Sequence, residues 1–189
     1  MFEIRIHGRG SQGVVTAAEL LSVAAFLDGY EAQAFPSFGS ERMGAPVVSF
    51  CRISERPIRA REPVSEPDAL IVVDRTLLQQ IDVFAGLRTD GYVVINSSKT
   101  IEGLGLGELA ERHDPDHLLT IPATVLAREH IGRPLPNVCL LGAFAALTGR
   151  VSLASLETAV LERFPKTIAD ANVAAARAAY DTVQAVSHA

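Results

Sequence analysis

The sequence predicts an α/β fold in which a mainly parallel sheet is flanked by helices, with a helical C-terminal part. Three observations predict it. Short strand-like runs alternate with longer helical patterns over most of the chain. The run Asp68-Ala-Leu-Ile-Val-Val-Asp74 is apolar between two aspartates, as suits a strand buried on both faces of a parallel sheet. The C-terminal segments are rich in alanine, the best helix former.

Taken in order, residues 2–7 alternate apolar and polar, with Phe2, Ile4 and Ile6 on one side, and predict a strand. Residues 14–27 have few polar interruptions and predict a largely buried helix that ends at Asp28-Gly29. Residues 30–35 predict a second strand and residues 47–53 a third, separated by a long loop with Pro36 and Pro46 at its ends. Ile58 is expected to begin a short return strand after the Arg56-Pro57 turn. Residues 76–84 are expected to be helical and residues 92–96 to form another buried strand. Gly103, Gly105 and Gly107 mark a loop, and a strand over 118–121 leads to a helix over 123–130. Pro134-Leu135-Pro136 breaks the chain before three helices, over 140–148, over 152–163 with Ser152 as N-cap, and over 169–186.

Composition narrows the function. The 189 residues are 48% hydrophobic and are expected to form a single domain over 1–189. Cys51 and Cys139 stand alone, with no Cys-x-x-Cys pair, so this chain by itself has neither a disulfide framework nor the thiols of a Cys₄ iron–sulfur cluster. A net charge of −5 gives no basic stripe for nucleic acid, and the longest apolar run, 138–147, is about half the roughly 20 residues a membrane span needs. The first residues, MFEIRIHGRG, lack an apolar signal core, so a cytoplasmic address is expected. His113 and His117 have a suggestive spacing, but Asp114-Pro115 interrupts it, and both read as surface or capping residues.

Gly8-Arg9-Gly10-Ser11-Gln12-Gly13 matches G-x-G-x-x-G between a strand and a helix, a Rossmann-like arrangement. Its first glycine permits the turn, the second lets backbone approach a ligand, and the third lets the helix pack on the strand. The helix N-terminus offers N–H groups to an anion, and Arg9 and Gln12 are expected donors to a ligand or a partner chain. Dinucleotide binding also requires an acidic residue at the tip of the second strand, where this chain has Ala32-Gln33-Ala34-Phe35-Pro36. Asp28 and Glu31 fall too early, which leaves an anion site, a purely structural turn, and NAD binding as open readings. The loop Ser37-Phe-Gly-Ser-Glu-Arg-Met-Gly-Ala-Pro46 is long for a connector and is expected to lie beside the glycine turn. Glu41 and Arg42 within it could pair with each other or with a partner.

These motifs together are recognisable. Gly8-Arg-Gly-Ser-Gln-Gly-Val-Val-Thr-Ala-Ala-Glu-Leu-Leu21, Phe35-Pro-Ser-Phe-Gly-Ser-Glu-Arg-Met-Gly-Ala-Pro46, Pro67-Asp-Ala-Leu-Ile-Val-Val-Asp74 and Asn137-Val-Cys-Leu-Leu-Gly-Ala143 resemble, in order and over nearly the whole chain, the gamma subunit of the 2-oxoacid:acceptor oxidoreductases. That family includes pyruvate:ferredoxin, 2-oxoisovalerate, indolepyruvate and phenylglyoxylate enzymes. The resemblance implies a multisubunit enzyme that oxidatively decarboxylates a 2-oxoacid to an acyl-coenzyme A and passes two electrons to ferredoxin or onward to NAD. It implies thiamine diphosphate with Mg in alpha and beta partners, [4Fe-4S] clusters in beta and a ferredoxin-like subunit, and in some members an NAD-linked flavoprotein. The gamma chain is then non-catalytic, and alone it should expose a large apolar face. Gly8, Gly10, Ser11, Gln12, Gly13, Glu41, Arg42 and Gly44 are the residues the resemblance places toward the partners and coenzyme A, with Asn137 at a helix start near the same surface. A stand-alone nucleotide-binding or regulatory module is the alternative from another class, and an NAD-dependent dehydrogenase a further one.

The chain departs from the family pattern at three places. The turn usually reads Gly-x-Gly-Gly-Gln-Gly, and Ser11 replaces a glycine, which fits if its φ is negative and adds a hydroxyl donor. The loop usually reads Glu-Arg-Arg-Gly, and Met43 replaces the second arginine, which suits a bulkier substrate or a different subunit contact. The family's aspartate near the fifth strand is missing at Ile121-Pro122-Ala123.

Overall fold

The computed structural model describes residues 1–37 and 43–187. Six strands form one sheet in the order β2-β3-β1-β4-β5-β6, where β1 is Phe2–Arg9, β2 Glu31–Pro36, β3 Pro46–Ser54, β4 Ala69–Val72, β5 Tyr92–Asn96 and β6 Leu118–Ile121. β1 pairs in parallel with β4, and the parallel run continues through β5 to β6, whereas β3 is antiparallel to both β1 and β2. Five strands therefore point one way, and the expected α/β architecture is present. β4 is buried at every residue, as its uninterrupted apolar run requires.

One face of the sheet, carrying Ile4, Ile6, Cys51, Ile71, Val94 and Ile121, packs under helices α1 (Val14–Leu27), α3 (Ala123–Ile131), α4 (Asn137–Thr148), α5 (Leu153–Arg163) and α6 (Lys166–Ser187). Residues 137–145 of α4 are all buried, so this helix is the core element of the layer. α6 crosses it at close range because Gly142 has no side chain: a Cβ there would run into the Ala176 carbonyl. α5 starts where expected, with Ser152 Oγ accepting the Ser155 N–H at 3.1 Å. No described helix is long and apolar enough to cross a membrane.

The other face is covered by loops, a short helix α2 (Gly107–Arg112) and 3₁₀ turns, and two buried arginines hold much of that cover down. Arg5 Nη2 donates to the Val83 and Ala85 carbonyls at 2.9 and 2.7 Å. Arg52, 1% exposed, donates to Glu3 at 2.7 Å and to the Glu62 carbonyl at 2.6 Å.

These contacts explain two departures from expectation. No strand begins at Ile58, because the segment between Pro57 and Pro63 spends its carbonyls on side chains: Gln33 takes that of Ala60, and Arg52 that of Glu62. Residues 76–84 give only a 3₁₀ turn over Arg75–Gln79. Asp74 caps that turn and Arg5 captures the carbonyls beyond it, so no α-helix propagates. The glycine loop also contains more order than expected, a 3₁₀ turn at Glu102–Leu104 and the first residue of α2.

Candidate functional site

The carboxyl ends of β1, β4, β5 and β6 converge on one edge of the sheet, and the glycine turn lies there. Its glycines do different work from the sequence expectation. Gly8 belongs to β1, and a Cβ on it would meet Val14 and Val73, so the close strand-to-helix packing falls to the first glycine. Gly13 is left-handed at φ 71° and precedes the first residue of α1. Asn137, at the start of α4 as expected, donates from Nδ2 to the Gly13 carbonyl at 3.3 Å and occupies the space a Gly13 side chain would need.

Ser11 corrects an expectation. Its φ is +74°, the one positive value at a non-glycine residue among the described residues, so serine holds a conformation suited to glycine. Nothing compensates for this in the described hydrogen bonds of its side chain.

The loop after β2 does lie beside the turn in its described part. Gly10 N–H donates to the Ala45 carbonyl at 2.9 Å, and Gly10 bridges in parallel to Met43. Gly44 is left-handed at φ 80°, and Met43 is 91% exposed. Glu41 and Arg42, with the pairing expected of them, lie outside the described residues.

Arg9 and Gln12 are engaged within the chain, and Asp74 at the end of β4 is their centre. Arg9 Nε lies 3.1 Å from Asp74 Oδ2, and Gln12 Nε2 donates to the same oxygen at 2.9 Å. Thr76 donates to Oδ1 from its N–H at 2.9 Å and its hydroxyl at 2.6 Å. Partial burial by itself pushes the Asp74 carboxyl up, but the hydrogen bonds from Thr76 and Gln12 together with the Arg9 charge outweigh it and hold the group below its ordinary range. In the sequence Asp74 stands out as a strand boundary and as the last residue of the Pro67–Asp74 motif, without a role of its own in the site. The available signal was an ionisable residue at the carboxyl end of a buried parallel strand, where ligand crevices form.

Two cavities flank this cluster. One of about 280 Å³ lies over the first turn of α1, between Arg9, Ser11 and Val47. The other, about 410 Å³, runs past Asp74, Arg75, Asn96, Ser98 and Thr124. Asn96 fixes the far wall, donating to the Val73 carbonyl at 2.9 Å and to Thr124 Oγ1 at 2.8 Å. The Arg75 side chain is exposed beside this crevice and has no carboxylate partner among the described residues. A larger cavity of about 720 Å³ opens at the opposite end, near Phe2 and Arg150, away from the glycine turn. Of the two carboxylates that line it, Glu55 and Asp68, the latter is already tied to the Glu3 N–H and Arg88.

The remaining candidates do not assemble into chemistry. His113 and His117 bond to separate carbonyls, and His117 stacks on Tyr92 with centroids 4.0 Å apart. Cys51 and Cys139 are both buried, and burial pushes each thiol up to about 12. Among the described residues no three His, Cys, Asp or Glu side chains group as metal ligands.

The family model described as pyruvate ferredoxin/flavodoxin oxidoreductase matches residues 3–182. The chain belongs to that family. Within the pyruvate ferredoxin/flavodoxin oxidoreductase family it is similar to the pyruvate synthase subunit PorC of Methanothermobacter marburgensis, 50% identical over 97% of this chain and 98% of that one. The pyruvate/ketoisovalerate oxidoreductases common subunit gamma of Pyrococcus furiosus is 45% identical over the same shares. The crystal structure of pyruvate oxidoreductase subunit PORC from Thermotoga maritima covers 95% of each chain with a TM-score of 0.78 at 36% identity. A 2-oxoglutarate:ferredoxin oxidoreductase from Magnetococcus marinus shares the fold at TM-score 0.67 and 17% identity, this chain spanning 31% of that longer one. The family resemblance carried by the four sequence motifs is thereby borne out.

Proposed function

We propose that the chain is the gamma subunit of a 2-oxoacid:acceptor oxidoreductase complex and that the carboxyl edge of its sheet faces coenzyme A and the partner subunits. In this reading thiamine diphosphate with Mg, and the [4Fe-4S] clusters, reside in alpha, beta and ferredoxin-like partners, where the 2-oxoacid is decarboxylated and two electrons leave. The chain's own task is to receive the acyl acceptor. Coenzyme A is a phosphate-rich anion, and the crevice offers it Arg75 as an exposed cation and Ser98 and Thr124 as hydroxyls. The observation that carries the reading is the full-length family match, joined to convergence of the glycine turn, Asp74 and Asn137 on one edge.

An apolar face outside the core supports the partner assignment. α1 is apolar almost all round, yet Val23, Phe26 and Leu27 are 38%, 68% and 43% exposed, a stripe at helical spacing that the described residues leave uncovered. Met43 adds an exposed apolar group beside the glycine turn.

Purification from the native host tests the subunit reading: the tagged chain is expected to bring thiamine- and cluster-bearing chains with it, and a stable monomer without them overturns it. Steady-state turnover of the complex carrying Arg75→Gln tests the crevice. KM for coenzyme A is expected to rise about tenfold with the 2-oxoacid KM unchanged, and an unchanged KM for coenzyme A removes Arg75 from the site.

A further inference from the structure

The Arg9 side chain joins three separate segments at the edge of the sheet. Besides Asp74, it reaches the Gly44 carbonyl from Nη1 at 3.1 Å, Thr76 Oγ1 from Nη2 at 2.8 Å and Gln80 Oε1 from Nη2 at 2.9 Å. Thr76 Oγ1 in turn donates to Asp74, so Arg9, Asp74 and Thr76 close a ring of hydrogen bonds. The Gly44 carbonyl belongs to the loop after β2, whereas Asp74, Thr76 and Gln80 form the wall beyond β4.

We infer that Arg9 is a positioning residue that clasps the 43–45 segment to the crevice wall and thereby sets how tightly the crevice holds coenzyme A. The inference rests on the coenzyme A reading above and adds a residue acting through the loop rather than through ligand contact. Its physical basis is the shape of guanidinium. A planar fork donates in several fixed directions at once, and Arg9 uses it on four acceptors from two segments other than its own. The other described ties of 43–45 to the turn, the Gly10 hydrogen bond and the Met43 bridge, run to backbone of the turn itself, and neither reaches the wall over 74–80. Because the guanidinium is spent on these partners, an incoming anion meets a neutralised cluster there. Among the described residues that line the crevice, the cation left for it is Arg75.

Three variants of the assembled complex test this: Arg9→Gln, Arg9→Lys, and the milder Gln80→Ala, which removes one exposed acceptor. Amide hydrogen exchange of 43–47 and 74–80 reads the clasp, and KM for coenzyme A reads its consequence. Arg9→Gln is expected to speed exchange in both segments at least tenfold and to raise KM for coenzyme A about tenfold, with kcat within twofold of wild type. Gln80→Ala is expected to change both readings in the same direction by less. Arg9→Lys should behave as Arg9→Gln, since one ammonium cannot span the four acceptors. Wild-type behaviour of Arg9→Lys would mean that charge alone matters and would overturn the clasp. Unchanged exchange in Arg9→Gln overturns it too, and with a raised KM it makes Arg9 a direct ligand contact. Faster exchange with an unchanged KM leaves the clasp standing and overturns its link to coenzyme A, while the Arg75→Gln result judges the crevice separately.

Discussion

The side-chain amide of Gln12 donates to Asp74 Oδ2 at 2.9 Å across 62 residues of sequence, and its carbonyl oxygen accepts the Arg9 N–H at 2.7 Å. Both ends of the side chain are thus occupied, and the glycine turn is fastened to the end of β4 by it. Gln12→Glu places a second carboxylate against Asp74. We expect a loss of about 2–3 kcal/mol at neutral pH, the scale of a charged group left badly paired, read as a lower urea midpoint. The loss should shrink near pH 4, where one carboxyl takes up a proton and donates to the other. A midpoint equal to wild type at pH 7 would show that the latch adds no stability. The wild-type latch has its own pH sense: the folded Asp74 carboxyl titrates below its unfolded value, so its contribution is present above that unfolded value and is lost as pH falls through the folded one.

Ser11 holds φ +74° in a turn where glycine would sit without strain. A left-handed non-glycine residue costs about 1–2 kcal/mol, and glycine adds back roughly 0.5–1 kcal/mol of unfolded-chain entropy. The strain is the larger quantity, so Ser11→Gly should raise stability by about 0.5–1 kcal/mol in thermal unfolding. A lower Tm would mean that the serine hydroxyl stabilises the turn by more than the strain costs.

At Gly142 the opposite substitution is harmful. A methyl group there meets the Ala176 carbonyl, which is backbone of α6 and cannot rotate away. Gly142→Ala should therefore cost about 1–3 kcal/mol, the usual range for overpacking, despite alanine's better helix propensity. Chemical denaturation checks this, and a stability gain would show that α4 and α6 separate readily.

His7 is buried, and its Nδ1 has no hydrogen-bond partner among the described residues. Burial, followed by the neighbouring Arg5 charge, pushes it down to about 4 from an ordinary 6.5. The unfolded chain therefore binds a proton that the folded chain refuses between those values. Stability should be full above pH 6.5 and fall by about 3 kcal/mol on the way to pH 4. His7→Gln keeps an acceptor for Arg5 and removes the titration, so its stability profile over that interval should be flatter than that of wild type.

The sequence was most readable where local pattern decides structure. α1, β5 and β6 match their expected bounds because each is an apolar run closed by polar or glycine punctuation. It was least readable at residues 75–91, where helical propensity loses to Arg5, a side chain 78 and 80 positions away from the carbonyls it captures. The site divides in the same way. The glycine turn and Asn137 were visible as motifs, and Asn137 starts α4 and bonds to the turn. The engagement of Arg9 and Gln12 was not visible, because their partner Asp74 becomes a neighbour only when β4 lies beside β1. Ser11 could be seen as a departure, but the sign of its φ is decided by the turn around it.

The order of the sheet also imposes a timetable on synthesis. β1 is made first, yet its two neighbours in the sheet are β3 and β4, the fourth and fifth of the elements to leave the ribosome when α1 is counted. Nothing can flank it on both edges until residue 72 has been made, and the fastening of Arg9 and Gln12 waits for Asp74. The nascent segment up to β3 thus holds three of the six strands with one edge of β1 unpaired, and the hydrogen bonds that fasten the glycine turn to Asp74 form only after that residue has been translated.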